Sequence, residues 1–328
     1  MGHINYSVFK HELPDNMKWL EDRTILLTKA GSHIYGTNIE TSDTDYKGVA
    51  IPPKEYLLGL KSINEYNKSG GRNLKERNTP EDIDLVVVAL NKFVIDCLNG
   101  VPNNLDILFC RDEDILYIDE FGKELREIRH EFLSKECKNK FGGYAFAQKK
   151  RLINGRNGQG RPDLVEKFGY DTKMAMHSIR LLQCAIEILT TGDYHSYRPN
   201  HEELIDIRRG KYSFEEILEI IEDLDKQVQE LFETSTLRAK PNYDKINNWL
   251  IDINERALSY DFSNKKLLNE LDHDKVLSNF NVPNVDVTPN YTNIPPACQH
   301  CSNHPINGGS GICHCTLGID KMTWYQSN

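Results

Sequence analysis

The sequence contains no run of the roughly 20 consecutive apolar residues that a membrane-spanning helix requires. Its first residues, Met1 to Leu13, lack the basic-then-apolar layout of a secretory signal. Both absences lead to the expectation of a cytoplasmic protein without a membrane partner. Positive charge is also in deficit: 40 Lys and Arg stand against 49 Asp and Glu, a formal net charge of −9. Coating long stretches of nucleic acid demands broad phosphate neutralisation, so that mode is excluded, whereas a local basic patch is not. Cysteines are few and unevenly placed. Cys97, Cys110, Cys137 and Cys184 are scattered among apolar neighbours and read as buried thiols. Cys298, Cys301, Cys313 and Cys315 crowd together near the C-terminus and need a separate explanation.

What is present describes an ordinary globular chain. Its 328 residues are 39% hydrophobic and 27% charged, enough to bury a substantial core in two domains or in one large domain with an appendage. Three apolar runs near the front have strand character: Thr24 to Lys29, Tyr46 to Ile51 and Ile83 to Ala89. The polar, Gly-containing stretch Asn67 to Thr79 between the last two reads as a loop long enough to move over a site. From Lys92 onward the apolar spacing is helical, with candidates Asn91–Leu98, Gly122–Cys137, Tyr144–Leu152, Thr172–Thr190, Phe214–Phe232 and Lys245–Leu258. Strands first and helices later predict an α+β catalytic unit over residues 1–120 and a helical domain over 121–270. A Pro- and Asn-rich linker is predicted over 271–296, and a small C-terminal module over 297–328.

The chemistry concentrates in Ala30 to Val49, AGSHIYGTNIETSDTDYKGV. A Gly31-Ser32 pair at a turn after a strand lets backbone N–H groups and a hydroxyl approach a phosphate, and Gly36 adds backbone freedom. Asp43 and Asp45 stand two apart at the mouth of a strand, so the strand period places both carboxylates on one face. Hard oxygen donors in that arrangement suit Mg²⁺, held jointly with substrate phosphates. Asp82 or Asp84, at the start of the next strand, could add a third acid for a two-metal site. Alone, an Asp-x-Asp is commonly nothing more than a solvated strand end.

The order of the blocks is more specific than any one of them. GSHIYGT followed by SDTDYKGVAIP, DLVVVALNKFVIDCLNGVPNNLDILF, GYAFAQKKRL and GYDTKMAMHSIRLLQCAIEILTTGD resembles the DNA polymerase beta-like nucleotidyltransferases. The wording is closest to a bacterial and phage branch associated with RNA repair, over roughly residues 25–210. The resemblance implies a polymerase-beta-like core, a small mixed sheet with helices, followed by a helical domain. It implies transfer of a nucleoside monophosphate from an NTP to an acceptor hydroxyl with Mg²⁺ or Mn²⁺, RNA being the favoured acceptor. It assigns Gly31, Ser32, Tyr35 and Gly36 to the nucleotide and Asp43, Asp45 and Asp84 to metal and catalysis. Asp84 is chosen over Asp82 because it keeps the family's spacing to Lys92-Phe93. It also places Lys173, His177 and Arg180 on one helix face toward the nucleotide or acceptor. An alternative for these three is simple pairing with neighbouring acids such as Asp171 and Glu187. Two further readings stay open: nucleotidylation of a partner protein, and a non-catalytic RNA-binding module.

Between Lys138 and Arg161 stand Lys138, Lys140, Lys149, Lys150, Arg151, Arg156 and Arg161 with no acidic residue, and Tyr144 and Phe146 are interleaved. In an acidic chain this concentration points to phosphate contact, with a merely solvated face as the alternative. Gly155 to Gly160 is not a phosphate-binding P-loop, because it follows a helix and lacks the lysine and Ser/Thr of that motif. The terminal C-x₂-C-x₁₁-C-x-C pattern, Cys298 to Cys315, contains Gly308 to Gly311, a turn expected to fold the second pair back onto the first. Four thiolates suit structural Zn²⁺, and His300, His304 or His314 could replace one. Two disulfides are the competitor, disfavoured in a reducing compartment.

Overall fold

The computed structural model describes residues 4–9, 12–68, 83–155 and 161–264, all within one compact unit, Met1–Phe280. Most of the expected loop, Asp82, the segment after Gly155, the linker and the cysteine module lie outside the described residues.

The architecture is mixed α+β, as the order of strand-like and helical runs predicts. Five strands, β1 (Thr24–Ala30), β2 (Thr44–Ala50), β3 (Glu65–Lys68), β4 (Ile83–Ala89) and β5 (Ile115–Ile118), form one sheet in the order β3-β4-β2-β1-β5. β2 and β4 run parallel, and every other pairing is antiparallel. Three short helices, α1 (Leu20–Arg23), α2 (Gly31–Tyr35) and α3 (Lys54–Leu57), punctuate the sheet. The central strands give way to α4 (Leu90–Leu98) and α5 (Pro102–Leu108), and α6 (Glu120–Glu127) follows the last strand. The remaining helices are α7 (Cys137–Asn154), α8 (Pro162–Phe168), α9 (Thr172–Thr191), α10 (His201–Arg208), α11 (Phe214–Thr234) and α12 (Tyr243–Ser259).

Strand alternation separates two cores. Leu27, Tyr46, Leu85 and Val87 face a small cluster closed by Ile4, Tyr6 and Phe9, while Leu26, Val49 and Val88 face the large core shared with the helices. The helical half is organised around α9. Asp171 caps it by accepting from the N–H groups of Lys173 and Met174, and Gly192 ends it in a left-handed turn. The helix packs on α7, α10 and α11 and fully buries Ala175, Met176, Ile179 and Ile188. At roughly 1.5–3 kcal/mol for each large apolar side chain removed from water, this burial makes α9 a rigid platform for whatever it displays.

The single helix expected over Gly122–Cys137 is two elements. α6 stops at Glu127, a 3₁₀ turn spans Arg129–Phe132, and α7 begins at Cys137. The cause is that Phe132, Leu133 and Ser134 are all fully buried. Three consecutive inward side chains are incompatible with one surface stripe of a continuous helix. β3, β5, α5, α8 and α10 have no counterpart among the sequence expectations.

Candidate active site

The acidic cluster is built by strand register. The Ser42 hydroxyl accepts from the Ile39 N–H at 2.9 Å, turning the chain into β2. Asp43 and Asp45 then alternate with buried Thr44 and Tyr46, so both carboxylates share the helical face of the sheet. β4 lies parallel to β2 with Asp84 directly opposite Asp45. Carboxylate oxygens of Asp43, Asp45 and Asp84 fall within 4.8 Å of one another. Partial burial, with Asp43 and Asp84 beside it, raises Asp45 to about 7. At an effective dielectric of ~20, two unit charges at that separation repel by about 3.5 kcal/mol. A divalent cation removes the repulsion, and three clustered hard oxygen donors suit Mg²⁺ or Mn²⁺.

Gly31 makes the cluster sterically possible. It sits at φ +59°, where a non-glycine residue is strained, and a Cβ there would lie 1.8 Å from Asp45 Oδ2. The Gly31-Ser32 pair opens α2 beside the acids, with Ser32 and Tyr35 buried and Gly36 closing the helix at φ 73° against the Tyr197 ring.

A cavity of about 510 Å³ adjoins these residues, walled on one side by Gly31, Ser32, Asp43 and Asp45. From the helices, Tyr144 and Arg151 of α7 and Lys173, His177 and Arg180 of α9 line the same space. The three α9 residues therefore share a face, as their spacing predicts. Their pairing with Asp171 or Glu187 is not what the structure contains: Asp171 caps α9 and holds Arg161, and Glu187 pairs with Arg198 and His195. Burial, together with Arg161 and Arg208, lowers Lys173, an effect that Asp43 and Asp45 oppose. Burial and the neighbouring cations push His177 well below its ordinary range, leaving a neutral imidazole in the wall. A second cavity of about 480 Å³ shares Asp43 and Lys173 with the first and is lined by Ser42, Arg161, Thr172 and Arg208.

Arg180 is the deepest of the three α9 residues, 3% exposed, with its guanidinium 3.6 Å above the Tyr35 ring. Nη1 lies 3.6 Å from Asp106 Oδ1. Burial works against its charge, but Tyr35 and Asp106 more than offset it, so its pKa is raised. Asp106 accepts from the Tyr35 hydroxyl at 2.6 Å and from Tyr194, and its carbonyl accepts from Ser196. No sequence motif marks Asp106 or Arg208. Arg208 donates to the Thr37 carbonyl at 2.5 Å, tying α10 to the turn after α2. These partners are 71 and 171 positions apart, and no local motif announces pairs of that kind.

A model of the RNA repair pathway DNA polymerase beta family, RlaP, matches residues 8–252. An uncharacterized 38.9 kDa protein from the nrdC-mobD intergenic region of Enterobacteria phage T4 is 28% identical over 123 residues. That alignment takes in 37% of this chain and 36% of the relative, so the chain spans little more than a third of the curated relative's length. A nucleotidyltransferase-like protein from Exiguobacterium sibiricum 255-15 aligns at 12% identity with a TM-score of 0.26, over 70% of this chain and 73% of that one. The family match begins ahead of β1 and runs into α12, taking in the whole sheet, the acidic cluster and the α7–α9 wall, and the chain belongs to the RNA repair pathway DNA polymerase beta family.

Proposed function

We propose that the protein transfers a nucleoside monophosphate from an NTP to an acceptor hydroxyl, with RNA as the acceptor. One observation carries the reading: Asp43, Asp45 and Asp84 cluster beside Gly31, and the cavity that Gly31, Asp43 and Asp45 line is also lined by the cations Arg151, Lys173 and Arg180. Membership of an RNA repair pathway family supports the choice of acceptor.

In this reading the acceptor oxygen bonds to the α-phosphorus, the bond to the β-phosphate bridging oxygen breaks, pyrophosphate leaves, and the hydroxyl proton passes to solvent. Asp43, Asp45 and Asp84 are the ligands for Mg²⁺ or Mn²⁺, which when bound supplies charge neutralisation and a more acidic acceptor hydroxyl. Gly31 admits the phosphates close to the backbone, and Ser32 offers a hydroxyl donor. Lys173 balances phosphate charge from α9, preorganised because that helix is locked in the core, and Arg151 adds charge from α7. His177, neutral, serves as a hydrogen-bonding group and not as a further cation. Arg180 holds Tyr35 in place beneath the cavity. The sheet unit is thus the catalytic domain and the helices after it wall the cleft. The cysteine module stands as a structural Zn²⁺ site on its sequence alone, with Cys298, Cys301, Cys313 and Cys315 as ligands.

The test is incorporation of each α-labelled NTP, with Mg²⁺ or Mn²⁺, into a mixture of cellular RNA and protein. The intact chain is compared with its Asp43→Ala/Asp45→Ala variant. Label on RNA that requires both aspartates is the expected result. Label confined to a protein band would replace the acceptor, and no label from folded protein would defeat the reading.

A further inference from the structure

α7 carries an exposed face that neither the core nor the acidic cluster explains. Its inner positions Phe141, Ala145 and Leu152 are buried, and the Ala145 carbonyl accepts from Ser178 of α9 at 3.1 Å. Lys140, Gly143, Tyr144, Ala147, Lys150 and Arg151 recur at helical spacing along the outer side, and all are exposed. Tyr144 is 46% and Phe146 68% exposed, so this basic face carries two accessible aromatic rings. Lys138 and Lys149 are engaged elsewhere, with Gln229 and Glu222 of α11. Lys140, Lys150 and Arg151 make no ion pair among the described residues.

A second observation is steric. Gly142 and Gly143 lie inside this helix, where each costs about 0.5–1 kcal/mol relative to alanine. A Cβ at either position would meet nothing within 4 Å, so no packing within the described chain calls for glycine there. Glycine without an internal reason leaves backbone open to a close-approaching ligand. The face also runs into the active-site cavity, since Tyr144, Ala147 and Arg151 belong to its lining.

We propose that this face of α7 is a track for single-stranded polynucleotide that leads the acceptor strand into the cavity, an inference that rests on the nucleic-acid reading above. Tyr144 and Phe146, about 200° apart round the helix, bound the exposed arc on its two edges, where unpaired bases stack, and phosphates lie between them against Lys140, Lys150 and Arg151, across the gap left by the glycines. From Lys140 to Arg151 the helix rises about 16 Å, the span of about five stacked nucleotides at ~3.4 Å each. A duplex keeps its bases paired and offers no faces for stacking, so single strands are preferred.

The experiment is fluorescence-anisotropy titration of a short labelled oligouridylate against the full chain across a salt series. The variants are Phe146→Ala, Lys140→Gln/Lys150→Gln and Gly143→Glu, none of which touches the cavity lining. Phe146→Ala is expected to weaken binding about tenfold. The double lysine variant is expected to lower the slope of log K against log salt by about 1.4, at ~0.7 per lost phosphate contact. Gly143→Glu should weaken binding while raising thermal stability, which separates an occupied face from a damaged fold. NTP affinity should match the parent in all three. Asp43→Ala/Asp45→Ala should abolish transfer yet bind the strand no more weakly than the parent, so failure of the transferase reading and failure of the track are told apart. Parental affinity and slope in the α7 variants would overturn the track. So would equal affinity for duplex, or no strand binding by a chain that labels protein.

Discussion

Asp45 and Asp106 both line a small cavity of about 230 Å³ between the sheet and α5, and the chain treats the two acids in opposite ways. Asp106 is 2% exposed, yet two tyrosine hydroxyls donate to it and Arg180 stands beside it. Burial raises Tyr35 and Tyr194 well above the ordinary phenol value, which keeps both as hydroxyl donors. Asp45 is less buried, but its nearest charged neighbours are two more acids, and it is raised to about 7. A carboxyl that the fold satisfies is a structural element. One that the fold crowds with like charge is costly unless a cation joins it, which is what the proposed metal role requires. The contrast separates architecture from chemistry more sharply than burial alone, which would have picked Asp106.

Substitution at each acid should therefore give opposite phenotypes. Asp45→Asn should lower nucleotide transfer by a thousandfold or more, ~4 kcal/mol of transition-state stabilisation, without lowering the thermal midpoint of the metal-free protein. Loss of stability in step with loss of activity would break the comparison. Asp106→Ala should do the reverse and destabilise the fold by about 3 kcal/mol, because Arg180 is left buried without its counter-charge. Denaturant unfolding measures this directly, and a change under about 1 kcal/mol would mean that Arg180 finds another partner.

These two acids also mark what could be read from the sequence. The cluster was legible because it is local: Gly31-Ser32, Asp43 and Asp45 fall within fifteen residues, and the strand period orients the pair. Asp84 needed the family spacing, and parallel pairing of β2 with β4 then puts it opposite Asp45. Lys173, His177 and Arg180 were legible as a face by helical spacing, but not the depth of Arg180, which depends on Tyr35 and Asp106 from other elements. α5 and α10 were missed for a related reason. Asn104 and Asp106 are buried in α5 and Arg208 in α10, so their inward sides break the apolar stripe that identifies a short helix. The cysteine module lies outside the described residues.

A smaller effect is expected at Gly31. Alanine there adds the strain of a left-handed residue, about 1–2 kcal/mol, and its Cβ would displace the Asp45 carboxylate. Gly31→Ala should weaken Mn²⁺ binding about tenfold in a direct titration while the protein stays folded. Unchanged Mn²⁺ affinity would show that Asp45 is not held against this turn by the glycine.

The most delicate test uses pH in the absence of metal. Unfolded, Asp45 titrates near its ordinary value of 3.8; folded, it titrates at about 7. Between those values the native state keeps a proton that the unfolded state has released, so stability falls as pH rises across the window. His33 and His177 act with the opposite sign, because burial lowers both and each favours the folded state increasingly as pH rises toward the ordinary histidine value of 6.5. The sum can be flat, and the informative quantity is a difference. The parent should lose stability relative to Asp45→Asn as pH rises from 3.8 toward 7, and saturating Mg²⁺ should remove that relative loss by favouring the ionised cluster. Parallel pH curves for the two proteins would mean that Asp45 is not strained by its neighbours, and the distinction between it and Asp106 would then rest on geometry alone.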